Sequence, residues 1–357
     1  MARVTLADVA RAAGVGVATA SRALSPKDHP DVSPATRQRL REVADELGYR
    51  PSLAARAFRG RGFRAVSIVV PDGQWGWWEP AVRAAHAAAR AQGVTAFVQP
   101  TTAARRDSGD VVDVIAGLAE VPTEGVLILG SAGDAQMLAT AQSLRLPVVA
   151  IDNAADEVLV PAFGVDNRLG VLLGVRHLAE RGCRRIAYVG TGGDLPFHRA
   201  RRDGYREALA EAGLDLDPAL MLEDPGADSV ATPLLAPVEE LLASGIEVDA
   251  MLCESDGGAA PVLRSLRRAG RSVPEDVSVV GFDDSVHAVA LDPPLTSVRQ
   301  PFEQLGTEAM DLLLSLVGGG SAEPGRTLLA PGLVVRASTR GSADGEAGVS
   351  QAGGAAP

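Results

Sequence analysis

Short apolar runs, separated by stretches of helical periodicity, recur through most of this chain. The segments 65–70, 94–98, 125–129 and 147–151 are five or six residues long and almost wholly apolar, and the pattern resumes at 185–189, 250–253 and 277–280. Runs so poor in polar alternation are strands buried on both faces, as in a parallel sheet covered by helices. Helical stretches near 79–92, 109–119 and 134–144 in the first series, and 167–181, 199–212, 234–244 and 257–269 in the second, supply the covers. The alternation predicts two open parallel sheets. Ligands of such sheets sit beyond the carboxyl ends of the strands, so residues just after each run are the first candidates for a site.

The first 58 residues read differently. Thr5-Leu6-Ala7-Asp8 has the form of a capping box, and Leu6, Val9, Ala10 and Ala13 then recur at helical spacing. Gly14 follows where a tight turn needs a positive φ, and a second short helix starts near Val17 and runs to Leu24. A third is announced by Ser33 as cap and Pro34 at the first helical position, and it stops at Gly48. Two helices joined through a glycine turn make a helix-turn-helix.

Charge divides the chain at the same place. Residues 1–65 hold twelve Arg or Lys against six Asp or Glu, whereas the chain as a whole carries −11. A basic head on an acidic body implies that only the head meets a polyanion. Charge alone does not separate that reading from a solvated basic face; the motif does.

Several function classes find no support. The sequence has no GxxxxGK[ST] phosphate loop, no GxSxG elbow and no HExxH pair, so an enzyme is not expected. Gly190-Thr191-Gly192-Gly193 lacks dinucleotide-binding spacing and reads as a loop. The five histidines and two cysteines, Cys183 and Cys253, show no metal-ligand spacing, and neither a metal nor a cofactor is expected. No uncharged apolar run reaches the roughly 18 residues of a membrane span, and the N-terminus has no signal-peptide pattern; the expected location is the cytoplasm.

The runs VTLADVARAAGVGVATASRAL and VSPATRQRLREVADELGYRP resemble, nearly without gaps, the DNA-binding head of the LacI/GalR repressor family. By that resemblance the helix from Val17 to Leu24 enters the major groove of operator DNA. Val17, Ala18 and Arg22 face base edges, and Thr5, Thr19 and Ser21 hold phosphates. An arginine can bond bidentately to guanine, while Val and Ala offer apolar contact, as to a thymine methyl. Gly16 stands where the family usually has Ser, which removes one hydroxyl phosphate contact. Residues 50–64 are similar to the family's hinge, a short helix that forms on DNA and pairs with its twin in the minor groove. Ala55, Arg56 and Phe58 are its candidate contacts, with Phe58 at the wedge position where the family usually has Leu.

The body continues the likeness through VSIVVPD, GVLILG, LPVVAIDN, RRIAYVG, VPEDVSVVGFDD and PPLTSVRQPFEQLG. It implies a periplasmic-binding-protein-like α/β sensor at 65–340, with lobe 1 at about 65–160 and 293–322 and lobe 2 at about 161–292 and 326–337. The head spans 1–49, and the Gly- and Ala-rich residues 341–357 are expected to be disordered. Candidate effector contacts are Asp72, Trp75, Trp77 and Trp78 after the first strand, then Arg201, Ser255, Asp256 and Asp283. All three tryptophans fall within four positions, in what reads as a loop. Ser255 occupies a position where the family often has Asn, which shortens its reach. Carboxylates and an arginine give the directional bonds a polyol requires, and an aromatic face stacks on a sugar ring. The resemblance thus implies a homodimeric repressor, released from a palindromic operator by a mono- or oligosaccharide. A corepressor, or a nucleobase or sugar phosphate in place of the sugar, would use the same scaffold.

Overall fold

A computed structural model describes residues 4–25, 29–49, 63–71, 75–101, 108–130, 135–151, 155–223, 235–341 and 349–350. The chain divides into two units, residues 1–64 and 65–357.

In the first unit, α1 (Leu6–Ala12), α2 (Val17–Ala23) and α3 (Pro34–Glu46) lie where the cap signals put them. The Asp8 amide donates to Thr5 Oγ1 at 3.3 Å, and the Thr5 amide donates back to the Asp8 carboxylate at 3.0 Å, closing the capping box. Gly14, at φ +64°, ends α1: its amide bonds the Arg11 carbonyl and the Val15 amide bonds that of Ala10. Ser33 caps α3 by accepting from the Thr36 amide at 3.2 Å, with Pro34 at the first position. Val9, Ala10, Ala20, Ala23, Leu40 and Ala44 form the core. The small alanines let short helices approach closely, and Leu40 is the largest side chain fully buried among them.

The second unit holds two sheets. The first has the order β11-β5-β4-β3-β1-β2 and is parallel throughout: β1 (Ala65–Pro71), β2 (Thr95–Thr101), β3 (Val126–Leu129), β4 (Val148–Ile151), β5 (Pro161–Val165) and β11 (Gly325–Leu329). The alternation of β1 shows why its run is apolar on both sides. Val66, Ile68 and Val70 pack under α4 (Trp75–Ala91) and α12 (Phe302–Val317), while Val69 faces the layer of α5 (Ser108–Gly117) and α6 (Ala135–Ser143).

The second sheet has the order β13-β12-β10-β9-β8-β6-β7. Its parallel strands are β6 (Ile186–Gly190), β7 (Met221–Glu223), β8 (Ala250–Cys253), β9 (Ser278–Asp283) and β10 (Thr296–Arg299). The edge strands β12 (Gly332–Val334) and β13 (Val349–Ser350) run antiparallel. Helices α7 (Asn167–Glu180) and α8 (Pro196–Glu211) cover one face, with α9 (Leu235–Ser244) and α10 (Asp256–Arg268) on the other. A short helix, α11 (Val286–Ala290), follows β9.

The observed lobes exchange more chain than expected. Residues 161–165 and 325–329 belong to the first sheet, not to lobe 2, and 296–299 belong to the second sheet, not to lobe 1. The chain therefore crosses between sheets after Val165, at Gln300-Pro301 and between β11 and β12. A strand's apolar pattern says that it is buried but not which sheet it extends. Two further expectations change. The tryptophans at 75, 77 and 78 lie in the first turn of α4 rather than in a loop, and Val349 and Ser350 of the tail form a strand with β12. The rest of the tail beyond Gly341, the hinge contacts Ala55, Arg56 and Phe58, and Asp72 lie outside the described residues. Among the described residues, no helix is long and apolar enough to cross a membrane.

Leu40→Ala should destabilise the head by about 2–5 kcal/mol. Hydrogen exchange on the full chain should then show α1–α3 amides exchanging far faster, with β1 and β8 amides unchanged; equal protection of the head in both proteins would deny Leu40 this role.

Candidate DNA-reading face and effector site

On α2 the turn geometry separates the side chains by face. Ala20 and Ala23 are buried, whereas Val17, Ala18 and Arg22 are exposed; Val17 keeps 49% of its surface, high for an apolar residue. Thr19 and Ser21 are half-buried at the flanks. The Arg22 guanidinium pairs with Asp31, whose carboxyl it holds below the ordinary carboxylate range. Contact with a guanine therefore requires Arg22 to leave Asp31 or divide its donors between the two. Thr5 Oγ1 also donates to Asp8 at 2.6 Å, so its hydroxyl is engaged within the cap. Gly16 caps α2 without a side-chain bond.

In the second unit the polar residues gather at the carboxyl ends of β6, β8 and β9, where fully buried parallel strands first expose backbone and side chain. Arg201, one turn into α8, is only 6% exposed. Its Nε donates to Asn167 Oδ1 at 2.8 Å and Nη1 donates to the Glu254 carbonyl. The guanidinium carbon lies 3.7 Å from the centre of the Phe282 ring and 5.4 Å from that of Phe197. Cation–π contact with Phe282 offsets part of the lost hydration.

Asp283 ends β9 with φ at +115°, and its carboxylate accepts from Gln300 Nε2 at 2.6 Å. Burial pushes this carboxyl up to about 7; Asp256 and Glu254 add to the shift, and Arg201 opposes it. Arg201, from α8, and Asp283, from the end of β9, thus offer a donor and an acceptor, with the Phe282 ring beneath the guanidinium.

The other expected contacts whose side chains are described are already engaged within the protein. Asp256 has no exposed surface, and its carboxylate accepts from the Ser285 amide at 2.7 Å, Ser285 Oγ at 2.9 Å and Ser297 Oγ at 2.6 Å. A carboxylate so occupied fastens β10 and the start of α11 to α10. Ser255 caps α10, accepting from the Gly258 amide at 3.1 Å. Trp78 is half-buried against the lobe-1 core, its ring 6.1 Å from Phe302 and edge-on to it. The side chains of Trp75 and Trp77 lie outside the described residues.

Five residues escaped the sequence reading: Asn167, Phe197, His198, Glu254 and Gln300. Glu254 Oε2 accepts from the Thr191 amide at 3.0 Å and from the Tyr188 hydroxyl at 3.3 Å, while Oε1 pairs with His198 Nδ1. A buried carboxylate directly after an apolar strand was the one signal available. Asn167 and Gln300 gave none, because each gains its role from a crossing that brings a distant segment alongside.

Residues 5–52 match the bacterial regulatory proteins of the lacI family, and residues 175–339 match the periplasmic binding protein-like domain. The HTH-type transcriptional regulator CelR of Thermobifida fusca is 35% identical over 94% of this chain and 98% of its own. The chain belongs to the LacI family. The HTH-type transcriptional repressor CytR of Escherichia coli K12 is 30% identical, over 94% of this chain and 96% of its own. Among solved structures, the lac repressor dimer bound to operator and the anti-inducer ONPF superposes with a TM-score of 0.78 at 27% identity, over 95% of this chain and 99% of that one. The CelR–cellobiose complex superposes at 0.65 with 34% identity, over 94% and 100%. This LacI-family chain is a DNA-binding transcriptional regulator, and its second unit has the family's two parallel-sheet lobes.

The raised Asp283 carboxyl fixes a pH dependence. Native Asp283 keeps its proton where the unfolded chain has released it, so folding takes up a proton between pH of about 4 and 7. Its contribution makes stability fall as pH rises through that window. Asp283→Asn should melt higher than the parent at pH 7.5, the gap closing toward pH 4. A gap that persists at pH 4 would place the cause elsewhere than in Asp283 ionisation.

Proposed function

We propose that this regulator is a homodimeric repressor of carbohydrate uptake or catabolism genes, released from a palindromic operator when a sugar binds between the lobes. The observation that carries the sugar reading is the Arg201–Asp283 pair set beside the Phe282 face. A charged donor, a carboxyl acceptor and an aromatic plane suit the alternating hydroxyls and C–H faces of a pyranose. Among the described residues only Nε and Nη1 of Arg201 make bonds to the protein, which leaves Nη2 for a ligand hydroxyl. CelR, a relative of similar length, has been solved with cellobiose, which makes cellobiose the first sugar to test.

On DNA, Val17, Ala18 and Arg22 read bases while Thr5, Thr19 and Ser21 meet phosphates, and Ala55, Arg56 and Phe58 enter the minor groove. The exposed apolar face of α2 supports base reading, because Val17 has nothing to gain from water. Symmetric half-sites follow from a two-fold dimer. By the family resemblance, Asp72, Trp75 and Trp77 are further candidate effector contacts.

The protein works in the cytoplasm and catalyses no reaction. Thr191, His198 and Glu254 resemble a nucleophile, base and acid, but hydroxyl and carboxylate both approach His198 Nδ1. A relay needs the two groups on opposite ring nitrogens.

Arg22→Ala should weaken operator binding by about 1–3 kcal/mol with the effector response intact, as read by fluorescence anisotropy on operator DNA; unchanged affinity would remove Arg22 from base reading. Asp283→Ala should retain operator binding and lose release by cellobiose. Melting shifts with cellobiose, adenosine and glucose 6-phosphate separate the ligand classes. A shift with a nucleoside or phosphate alone would replace the sugar while leaving the DNA assignment in place.

A further inference from the structure

Arg201 carries its charge into a site where its two hydrogen-bond acceptors, Asn167 Oδ1 and the Glu254 carbonyl, are both neutral. A buried guanidinium held by neutral acceptors needs a compensating anion nearby. Asp283 supplies only part of that charge, since burial pushes its carboxyl up to about 7 against the pull of Arg201. Glu254 differs. Burial alone would raise its carboxyl, but His198, Arg201 and the Thr191 amide outweigh burial and hold it below the ordinary range. It is 6% exposed and its partner His198 is 7% exposed, so water screens neither.

The chain makes room for this pair. A Cβ on Gly190 would lie 2.4 Å from Glu254 Oε2, and one on Gly193 would lie 2.8 Å from His198 Cδ2. The Gly190-Thr191-Gly192-Gly193 turn therefore wraps the carboxylate and the imidazole, with Thr191 donating its amide to one and placing its hydroxyl 3.2 Å from the other. The imidazole stacks on Phe197, its ring centre 4.0 Å away, and Phe197 in turn approaches Arg201.

We infer that Glu254 and His198 are positioning residues of the effector site: Glu254 is the fixed counter-charge of Arg201, and His198 locks it in place. Its bearing on effector affinity rests on the reading of Arg201 as an effector ligand; the placement of Arg201 itself does not. With Glu254 anionic, Arg201 stays over Phe282 and Asp283 remains free to accept from a ligand. Without it, Arg201 turns toward Asp283 and the donor–acceptor pair closes on itself.

The test reads Arg201 directly in the full-length protein by 15N-resolved NMR of arginine Nε–Hε groups. Arg201 should give a slowly exchanging Hε signal displaced by the Phe282 ring current, identified by its loss in Arg201→Lys. Glu254→Gln preserves shape and one carbonyl acceptor while removing charge, so a packing role would leave that signal unchanged. We expect Glu254→Gln and His198→Gln each to accelerate Hε exchange at least tenfold and to move the signal. Thr191→Val, a milder change, serves if either fails to fold and should give a smaller shift in the same direction. An unmoved signal in folded Glu254→Gln overturns the inference. Cellobiose titration of the same variants separates the two readings. Loss of binding in Arg201→Lys with normal binding in Glu254→Gln ends the positioning role, whereas normal binding in Arg201→Lys ends the effector role of Arg201 and leaves the NMR result to decide the rest.

Discussion

Two parallel sheets buried on both faces leave little room for polar chemistry. Their strands must be apolar throughout, and their helices must turn apolar stripes inward. At the carboxyl ends of the strands the chain sheds that constraint, and there Thr191, Glu254, Ser255 and Asp283 appear at or just beyond the ends of β6, β8 and β9. The three crossings between sheets hold the rest of the second unit to this arrangement. Each carries a segment from one core into the other, so neither lobe is assembled from a continuous stretch.

Within that confined region, identical side chains take opposite roles according to their neighbours. Asp256, Asp283 and Asp284 are all carboxylates at the end of the second sheet. Asp256 is consumed by two serines. Asp284 is held between Arg299 at 2.6 Å and Arg336 at 2.5 Å, a pairing that ties β9 to β10 and to the chain beyond β12. Among the described residues Asp283 accepts from Gln300 alone, in the favourable field of Arg201 and the opposing fields of Asp256 and Glu254. A burial cost exists for all three, but only at Asp283 is it not met by cationic or multiple hydrogen-bonding partners. That shortage is what a ligand hydroxyl can repair.

These differences explain what could be read from the sequence. The head was legible almost to the residue, because Thr5, Asp8, Gly14, Ser33 and Pro34 act on backbone groups within four positions of themselves. The strand runs were legible for the same kind of reason: a run of Val, Ile and Leu reports its own burial. Sheet membership was not, since the pairing of Ala150 with Ala162, or of Thr296 with Val280, depends on partners elsewhere in the chain. The tryptophans were placed in a loop because the helical stretch reads as beginning near 79, whereas α4 begins at Trp75. At the site, Arg201, Asp256 and Asp283 were all proposed by resemblance. The structure engages the Asp256 carboxylate with Ser285 and Ser297, which a motif position does not foretell, since it does not state how many donors surround it.

A ligand shifts a two-state protein only by the difference in its affinity for the two states. The proposed effector pair, Arg201 and Asp283, is placed where such a difference can arise. Arg201 is anchored on Asn167, the second residue past the crossing after Val165, and Asp283 accepts from Gln300, which is itself part of the second crossing. Anything that draws Arg201 and Asp283 together therefore pulls on both crossings at once. Among the described residues a further tie between lobes near the site is weaker: Arg199 of α8 pairs with Asp156, in the segment between β4 and β5, and Asp156 is 76% exposed. An ion pair so open to solvent contributes at most about 1 kcal/mol. The lobes are thus joined by covalent crossings that a ligand can load and by a surface contact too weak to resist, the combination a sensor needs if binding, rather than the resting fold, is to choose its shape.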